Sequence, residues 1–327
     1  MKRIICGVLA LILALSFCAC GKQENLAPTP SGEGTAEETI VYAPWEYDVA
    51  EKAKEAGEIH YYFMASHGMH IDSEANHPKK WGDCCLIAFP NGELMLVDGG
   101  KGVMVPVIVE NLKKMGVEKL DYVVLSHCHR DHGYGIFNEG GVLDNFQVGK
   151  AYWNGVKNGG WETPVEELFS NKGVTLELLQ KGDVLEIGEV SMEVLWPMPE
   201  EIGQAYTSDA DINDRSMVMR FDYKEHSSLF VGDLYKNGEG LLVEESGDKL
   251  KADLLKAPHH GSPTSGSTAF LFEVNAKIAV ATGYQDVDFD QTENYRKMGT
   301  ELLYDTEHGY IHAWSDGTQL QYESEKT

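Results

Sequence analysis

Short apolar segments separated by turn-forming residues dominate the chain from about residue 58 onward. Segments such as "EIHYYFM", "ELMLVDGG" and "DYVVLSH" are rich in β-branched or aromatic residues and are bounded by Gly, Pro, Asn or Asp, which is typical of β-strands. The same pattern predicts further strands at "CCLIAF", "KAYWNG", "VSMEVLWP", "SMVMRFDY", "SSLFVGD", "ADLLKAP" and "KIAVATG".

Four segments between these strands have the composition and spacing of helices. They are "VMVPVIVENLKKMG", "YKNGEGLLVEES", "STAFLFEVNA" and "FDQTENYRKMG". Pro106 lies inside the first of them and leaves the start of that helix open. Strands that come first in groups and then alternate with helices predict an α/β (α+β) fold, in which helices pack outside the sheets.

The N-terminal 41 residues predict an exported protein with a tethered domain. Lys2 and Arg3 precede an apolar run that ends near Ala19, so residues 1–19 have the form of an export signal. The stretch "LSFCACGK" resembles the lipobox of bacterial lipoproteins and predicts lipidation of Cys20, with Cys18 or a plain cleaved signal as the alternatives. Lipidation implies an anchor at the outer face of the bacterial cell membrane. Residues 20–41 form a predicted flexible linker, and residues 42–327 form the folded domain.

The net charge of the chain limits the classes of partner that it can bind. It has 27 Lys and Arg against 52 Asp and Glu, which gives a net charge of −25. A field of that sign repels phosphate backbones, so nucleic acid is an unlikely partner. The cysteine pattern does not indicate a disulfide framework, and no heptad pattern predicts an oligomeric state.

The segment "LSHCHRDHGYG" carries the candidate chemistry. His127, His129, Asp131 and His132 directly follow a predicted strand, and histidine with aspartate suits zinc or a similar ion. Alternate residues of an extended segment share a face, so His127 and His129 are predicted to bind one ion. Asp131 and His132, which lie past the turn, are predicted to bind a second. Cys128 points away from its neighbours and is predicted to be packed.

Other strand ends supply the remaining ligand candidates, namely Asp98 in "LVDGG", Asp233 in "LFVGDL", and His259 and His260 in "KAPHHGS". The order Asp-Gly-Gly, HxHxDH, Gly-Asp and His-His-Gly-Ser resembles the metallo-β-lactamase fold superfamily. More narrowly, "GDCCLIAFPNGELMLVDGG" and "LLKAPHHGS" resemble the branch that contains the hydrolase domain of the DNA-uptake protein ComEC and the pneumococcal phosphorylcholine esterase. The resemblance spans roughly residues 59–322.

The resemblance implies an αββα sandwich with a site for two Zn²⁺ ions, Mn²⁺ being the alternative metal. Asp233 would bridge the two ions, and one of His259 and His260 would complete the second site, with His260 slightly favoured. Asp98 would orient a ligand histidine, although a turn-forming role before Gly-Gly is the alternative.

One departure from the superfamily concerns the first metal site. Many members have a third first-site histidine, but the chain has none between His132 and His226. Asn213 is the candidate that would line the first site as a weak ligand or substrate donor, and Ser262 is a candidate outer-shell or substrate contact. His226 itself is predicted to be a turn residue.

These features predict a metal-dependent hydrolase, a phosphodiesterase or phosphoesterase, in which Asp131 and Asp233 fix a hydroxide nucleophile. The expected substrate is a small phosphoester or a cell-wall polymer. The alternatives are an extracellular nuclease, a lactonase or β-lactamase, and a non-catalytic metal-binding lipoprotein.

Four aromatic residues raise the question of a cage for a choline-like cation. They are Trp81, Tyr152, Trp153 and Trp161. Packing in the core or in loops is the favoured interpretation of these rings.

Overall fold

The structure is a computed structural model that describes residues 42–64, 82–283 and 289–326. The predicted export signal, the predicted lipidation site Cys20, the predicted linker and Trp81 lie outside the described residues. The helices are α1 (Val49–Ala56), α2 (Val105–Lys114), α3 (Arg130–Phe137), α4 (Val142–Asn145), α5 (Val165–Ser170), α6 (Asp209–Asn213), α7 (Lys236–Ser246), α8 (Thr268–Val274), α9 (Phe289–Lys297) and α10 (Asp305–His308).

The strands follow the same chain order. They are β1 (Ile59–Phe63), β2 (Cys85–Ala88), β3 (Leu94–Val97), β4 (Lys119–Leu125), β5 (Gln147–Trp153), β6 (Lys157–Asn158), β7 (Thr175–Leu178), β8 (Val184–Ile187), β9 (Val190–Trp196), β10 (Ala205–Tyr206), β11 (Val218–Tyr223), β12 (His226–Phe230), β13 (Leu254–Lys256), β14 (Ile278–Ala281), β15 (Glu301–Tyr304), β16 (Ile311–Ser315) and β17 (Leu320–Ser324).

Two large sheets make up the domain. The first sheet has the strand order β17-β16-β1-β2-β3-β4-β5-β7, and the second has the order β15-β14-β13-β12-β11-β9-β8. The antiparallel pair β2 and β3 places Cys85 opposite Val97, and β4 then runs parallel to β3 with Val123 opposite Leu96. In the second sheet β12, β13, β14 and β15 are parallel. The site residues follow the C-terminal ends of β4 in the first sheet and of β12 and β13 in the second.

Three buried apolar layers show that the architecture is helix, sheet, sheet, helix. Residues of β3 illustrate the arrangement, because Leu94 and Leu96 pack on the side of α2 whereas Met95 and Val97 pack between the two sheets. A third layer lies between the second sheet and α7, α8 and α9. Burial on both faces explains why the strand has an uninterrupted apolar sequence. The predicted αββα fold class is confirmed.

The structure matches the predicted strands and corrects some local predictions. Pro106 is the second residue of α2, where its missing N–H does not break the helix. The metal motif continues into α3, which begins at Arg130 and was not predicted. The prediction that His226 is a turn residue is wrong. His226 begins β12, is 3% exposed, and its Nε2 atom lies 3.2 Å from the Tyr61 hydroxyl.

The described cysteines and helices allow two further statements. Cys84, Cys85 and Cys128 are all free and buried, as expected for packed thiols. Across residues 42–64, 82–283 and 289–326, no helix combines the length and the apolar character that a membrane span needs.

Candidate metal centre

The strand-to-helix turn after β4 brings the motif residues to the edge of the first sheet. His127 and His129 lie in the extended segment, His129 caps α3, and Asp131 and His132 are in its first turn. The close packing of this turn requires glycines. A Cβ on Gly135 would lie 1.7 Å from the carbonyl oxygen of Gly99, so only glycine lets α3 rest on the turn after β3.

The first ligand cluster comprises His127, His129 and Asp233. His127 Nε2 lies 3.1 Å from His129 Nδ1 and 3.9 Å from Asp233 Oδ2. The other nitrogen of His127, Nδ1, lies 3.0 Å from the Ser126 hydroxyl. The contacts thus leave His127 Nε2 and His129 Nδ1 facing a common point with the Asp233 carboxylate.

The second ligand cluster is on the other side of the same carboxylate. His132 Nε2 lies 3.2 Å from Asp233 Oδ1, and His260 Nε2 lies 3.3 Å from Asp233 Oδ2. His260 Nε2 is also 3.7 Å from Asp131 Oδ2. Asp233 therefore lies between the two clusters, in the place where the sequence analysis predicted a bridging ligand.

Unpartnered polar atoms at the centre of these clusters fit a cation. His132 Nε2, His260 Nε2 and both carboxylate oxygens of Asp233 are buried and have no hydrogen-bond partner. Buried polar atoms without partners are costly, and a divalent ion would satisfy them together. Imidazole nitrogens combined with carboxylate oxygens suit zinc and related divalent metals. The residues present thus fit a metal-dependent site.

An outer layer of hydrogen bonds orients the histidines. His132 Nδ1 donates to Asp98 Oδ2 over 2.7 Å, and the same carboxylate accepts from the Ser126 hydroxyl at 2.7 Å and from the Ser126 N–H at 2.8 Å. Asp98 therefore does more than form a turn. It fixes the His132 tautomer so that Nε2 faces Asp233.

Sequence reasoning missed the residues that orient His260. Its Nδ1 donates to the Thr282 carbonyl at 2.8 Å and lies 3.1 Å from Asp83 Oδ1, and the Lys256 ammonium lies 2.8 Å from Asp83 Oδ2. Asp83 precedes β2, and the antiparallel pairing with β3 brings it to the edge that carries Asp98. The sequence signal that could have identified Asp83 and Lys256 is a charged residue at the end of an apolar strand.

His259 and Ser262 lie beside the second cluster. His259 Nε2 is 3.7 Å from Asp233 Oδ2, while its Nδ1 contacts the Thr264 hydroxyl, which donates to Ser262 Oγ over 3.1 Å. His259 and His260 have φ angles of 44° and 58°, a left-handed conformation that is rare outside glycine and concentrates at functional sites. The contacts of His260 with both Asp131 and Asp233 favour it as the second-site ligand.

Burial disfavours the charged form of each group. The direction of each pKa shift therefore shows whether neighbouring charges outweigh the effect of burial. Burial, together with His132, lowers the pKa of His127 well below its ordinary value. Burial also opposes charging of His132, but Asp233 and Asp98 outweigh it and raise its pKa. Burial would raise the pKa of Asp233, but His260 and His132 lower it. A metal ion entering this cluster competes with protons, so binding releases them.

The clusters open onto a polar cleft of about 420 Å³. His129 and Asp131 line the cleft, together with the exposed Arg130. Asn213 also lines it and is 2% exposed, and its Oδ1 atom has no hydrogen-bond partner. Asp209 Oδ1 lies 3.4 Å from His129 Nε2, the nitrogen that faces away from the first cluster. Asn213 thus lines the same cleft as His129 and Asp131.

The three described aromatic residues, Tyr152, Trp153 and Trp161, do not assemble into a cage. Tyr152 packs between the sheets, and Trp153 packs on the helix-covered side of the first sheet, because consecutive residues of β5 point to opposite faces. Trp161 alone of the described three lines the cleft. Core packing, the favoured interpretation, accounts for Tyr152 and Trp153.

Comparisons with known sequences identify competence proteins as relatives. The chain is 32% identical over 224 residues to the competence protein ComA of Neisseria gonorrhoeae, covering 67% of this chain and 28% of that protein. It is 28% identical over 180 residues to ComE operon protein 3 of Bacillus subtilis, covering 53% of this chain and 21% of that protein. The chain thus spans 21% to 28% of the length of these curated relatives. No protein-family profile matches the chain.

Solved structures with related architecture include the metallo-β-lactamase fold protein YhfI of Bacillus subtilis, with a TM-score of 0.49 at 15% identity over 76% of this chain and 95% of that one. Tm1679, a metal-dependent hydrolase of the β-lactamase superfamily, has a TM-score of 0.47 at 13% identity over 75% of this chain and 95% of that one.

The fold and the site together lead to one assignment. Two stacked sheets are covered by helices, an HxHxDH turn follows β4, and two buried ligand clusters share one aspartate. The chain forms an αββα sandwich with the architecture of the metallo-β-lactamase fold, and its ligand clusters fit a divalent metal.

Proposed function

We propose that the protein is a zinc-dependent phosphodiesterase or phosphoesterase that acts at the bacterial cell surface. The observation that carries this proposal is the pair of buried ligand clusters that share Asp233 and open onto a polar cleft beside Arg130. Two adjacent cations can stabilise both the attacking oxygen and the leaving oxygen when a phosphoester bond is cleaved. The location rests on the predicted export signal and lipidation of Cys20.

Two divalent ions, when bound, supply Lewis acidity and a nucleophilic water at neutral pH. His127 and His129 would hold the first ion, and His132, His260 and Asp131 the second, with Asp233 contacting both. Hydrogen bonds to Asp98 orient His132, and contacts with the Thr282 carbonyl and Asp83 orient His260.

Other side chains of the cleft would bind the substrate. The Arg130 guanidinium adjoins Asp131 in the chain and is suited to a non-bridging phosphate oxygen. Two nearby side chains are poor nucleophiles. The Ser126 hydroxyl is bonded to Asp98, and burial raises the pKa of the Cys128 thiol.

The substrate class follows from charge and location. Acidic charge on the chain disfavours long polyanions and favours a small phosphoester or the phosphodiester of a wall polymer. A nuclease is the second candidate, because the chain resembles the competence protein ComA and ComE operon protein 3. Lactone or lactam hydrolysis would use the same metals, with acyl substrates in the cleft.

The first test is hydrolysis of bis-p-nitrophenyl phosphate by residues 21–327 loaded with zinc or manganese. Asp131→Asn should abolish turnover, whereas Asp248→Asn, an exposed aspartate on the surface, should leave it unchanged. Metal content is measured in parallel, since a non-catalytic lipoprotein with a decayed site would purify without zinc. Absence of turnover with two ions bound would reject phosphodiester cleavage and favour lactone or lactam hydrolysis.

A further inference from the structure

Asp83 is a further carboxylate at the second ligand cluster. One of its oxygens lies within 4.8 Å of ligand atoms of His132, Asp233 and His260, so distance alone would allow it to bind the ion. Asp83 is 5% exposed and therefore has little access to water. Its contacts decide whether it is a ligand or an orienting partner.

Both oxygens of Asp83 face donors from the second sheet. Oδ1 lies 3.1 Å from His260 Nδ1 and accepts from the Thr282 hydroxyl. Oδ2 forms an ion pair with the Lys256 ammonium at 2.8 Å but has no hydrogen-bond partner, and the ammonium donates to the Ala257 carbonyl at 2.9 Å. The carboxylate thus contacts Nδ1 of His260, whereas the other ring nitrogen, Nε2, lies 3.3 Å from Asp233 Oδ2.

Lys256 is an unusual residue for its position. It ends the buried strand β13 and is 3% exposed, and a buried ammonium is costly unless it is paired. An apolar residue would fill the end of this strand at lower cost, so the lysine needs a reason to be there. Its partner Asp83 supplies one.

We propose that Lys256 holds the Asp83 carboxylate away from the second metal, so that Asp83 orients His260 instead of becoming a ligand. A catalytic metal keeps one position open for water or substrate, whereas an additional carboxylate would close it. The Lys256 ammonium therefore preserves the open position. Lys256 and Asp83 are positioning residues, and this inference rests on the dinuclear site of the proposed function.

Removal of the ammonium makes the inference testable. Without Lys256, Asp83 would be a buried carboxylate without a cation, and the nearest cation would be the second metal. Lys256→Met should therefore bind the second zinc about tenfold more tightly and turn over more slowly. Asp83→Asn should instead bind zinc about 10- to 100-fold more weakly, as expected when the orienting partner of a ligand histidine is lost.

The measurement is a zinc titration of the full chain in competition with a chromophoric chelator. Cobalt substitution provides a second readout, because an added ligand lowers the intensity of the visible cobalt bands. The double variant Lys256→Met/Asp83→Asn should match Asp83→Asn, since the tighter binding requires the carboxylate. Lys251→Met, at an exposed lysine just before β13, is the matched control and should match the wild type.

Weaker or unchanged zinc binding by Lys256→Met would overturn the inference and make the ion pair structural. If Lys256→Met does not fold, Lys256→Gln decides the same question, because glutamine also removes the charge. A wild-type chain that binds no second zinc would instead reject the proposed function itself. Two bound ions with no effect of Lys256→Met would reject only the role given to Lys256.

Discussion

Two groups of buried histidines occur in the described structure, and only one of them has the form of a metal centre. In the metal centre, His132 and His260 both turn a nitrogen toward Asp233. In the other group, His60 and His312 belong to an aromatic stack on β1 and β16 in which the Tyr62 and His312 rings lie 4.2 Å apart at an interplanar angle of 7°.

The contrast shows what distinguishes a site from packing. His312 faces Tyr62 across the pair of strands, and its Nε2 and Nδ1 atoms lie 2.9 Å from His60 and from Glu323. Its ring is used for stacking, and both nitrogens have neighbours. At the metal centre, the unpartnered nitrogens converge on a shared carboxylate. His60 Nε2 is also unpartnered and lies 3.3 Å from a Glu58 oxygen, so the convergence of several histidines on one shared carboxylate identifies the site.

The largest expected effect comes from breaking the shared carboxylate. Asp233→Asn should lower turnover by about 10³-fold or more, because it removes a charged ligand from both clusters. The measurement is phosphodiester turnover together with zinc content. His312→Gln, in the other group, should retain both ions, and loss of zinc from that variant would contradict the distinction drawn between the groups.

The second test separates the two neighbouring histidines after β13. His260→Ala should reduce bound zinc to about one ion and lower turnover about 100-fold, because it removes a ligand nitrogen. His259→Ala should retain two ions, since His259 also contacts Thr264 and lies beside the cluster. Mass-spectrometric or chromophoric zinc counting distinguishes them. The opposite pattern would assign the ligand role to His259.

A third prediction concerns the stacked pair and pH. Burial lowers the pKa of His60 and of His312 from 6.5 to about 3. The unfolded chain binds protons on these imidazoles below pH 6.5, whereas the native protein keeps them neutral. The free energy of unfolding therefore falls as the pH decreases through this window, by about 2 kcal/mol per imidazole between pH 6.5 and pH 5.

Urea unfolding at each pH, with a chelator present throughout, measures this dependence. His312→Gln should show a shallower decrease than the wild type, and the metal-centre histidines contribute equally to both proteins. Identical slopes would show that these imidazoles do not remain neutral in the native protein.

The smallest expected effect is at Arg130. Its guanidinium lies 5.5 Å from the ring centre of Tyr134 and is exposed at the cleft. Arg130→Ala should raise KM about tenfold with little change in kcat, because one charged hydrogen bond to the phosphoester is lost. Arg296→Ala, an exposed arginine on α9, is the control. A change in kcat with an unchanged KM would show that Arg130 does not bind the substrate.

Much of the fold was predictable because its signals are local. The strand segments, the HxHxDH turn and the strand-end Asp233 are each visible in a few consecutive residues. Asp83 and Lys256 were missed because they form an ion pair between the two sheets, and the two residues are more than a hundred positions apart in the sequence. His226 was misassigned for the same reason, since its partner Tyr61 lies on β1.

The distribution of ligands over the two sheets has a thermodynamic consequence. His127, Asp131 and His132 follow a strand of the first sheet, whereas Asp233 and His260 follow strands of the second. Each bound ion therefore acts as a cross-link between the two halves of the sandwich, and a ligand that binds only the folded chain stabilises it, by about 2.7 kcal/mol at a hundredfold excess over Kd. Metal supply would then set the lifetime of the protein as well as its activity, because molecules without bound ions would open more often to proteolysis.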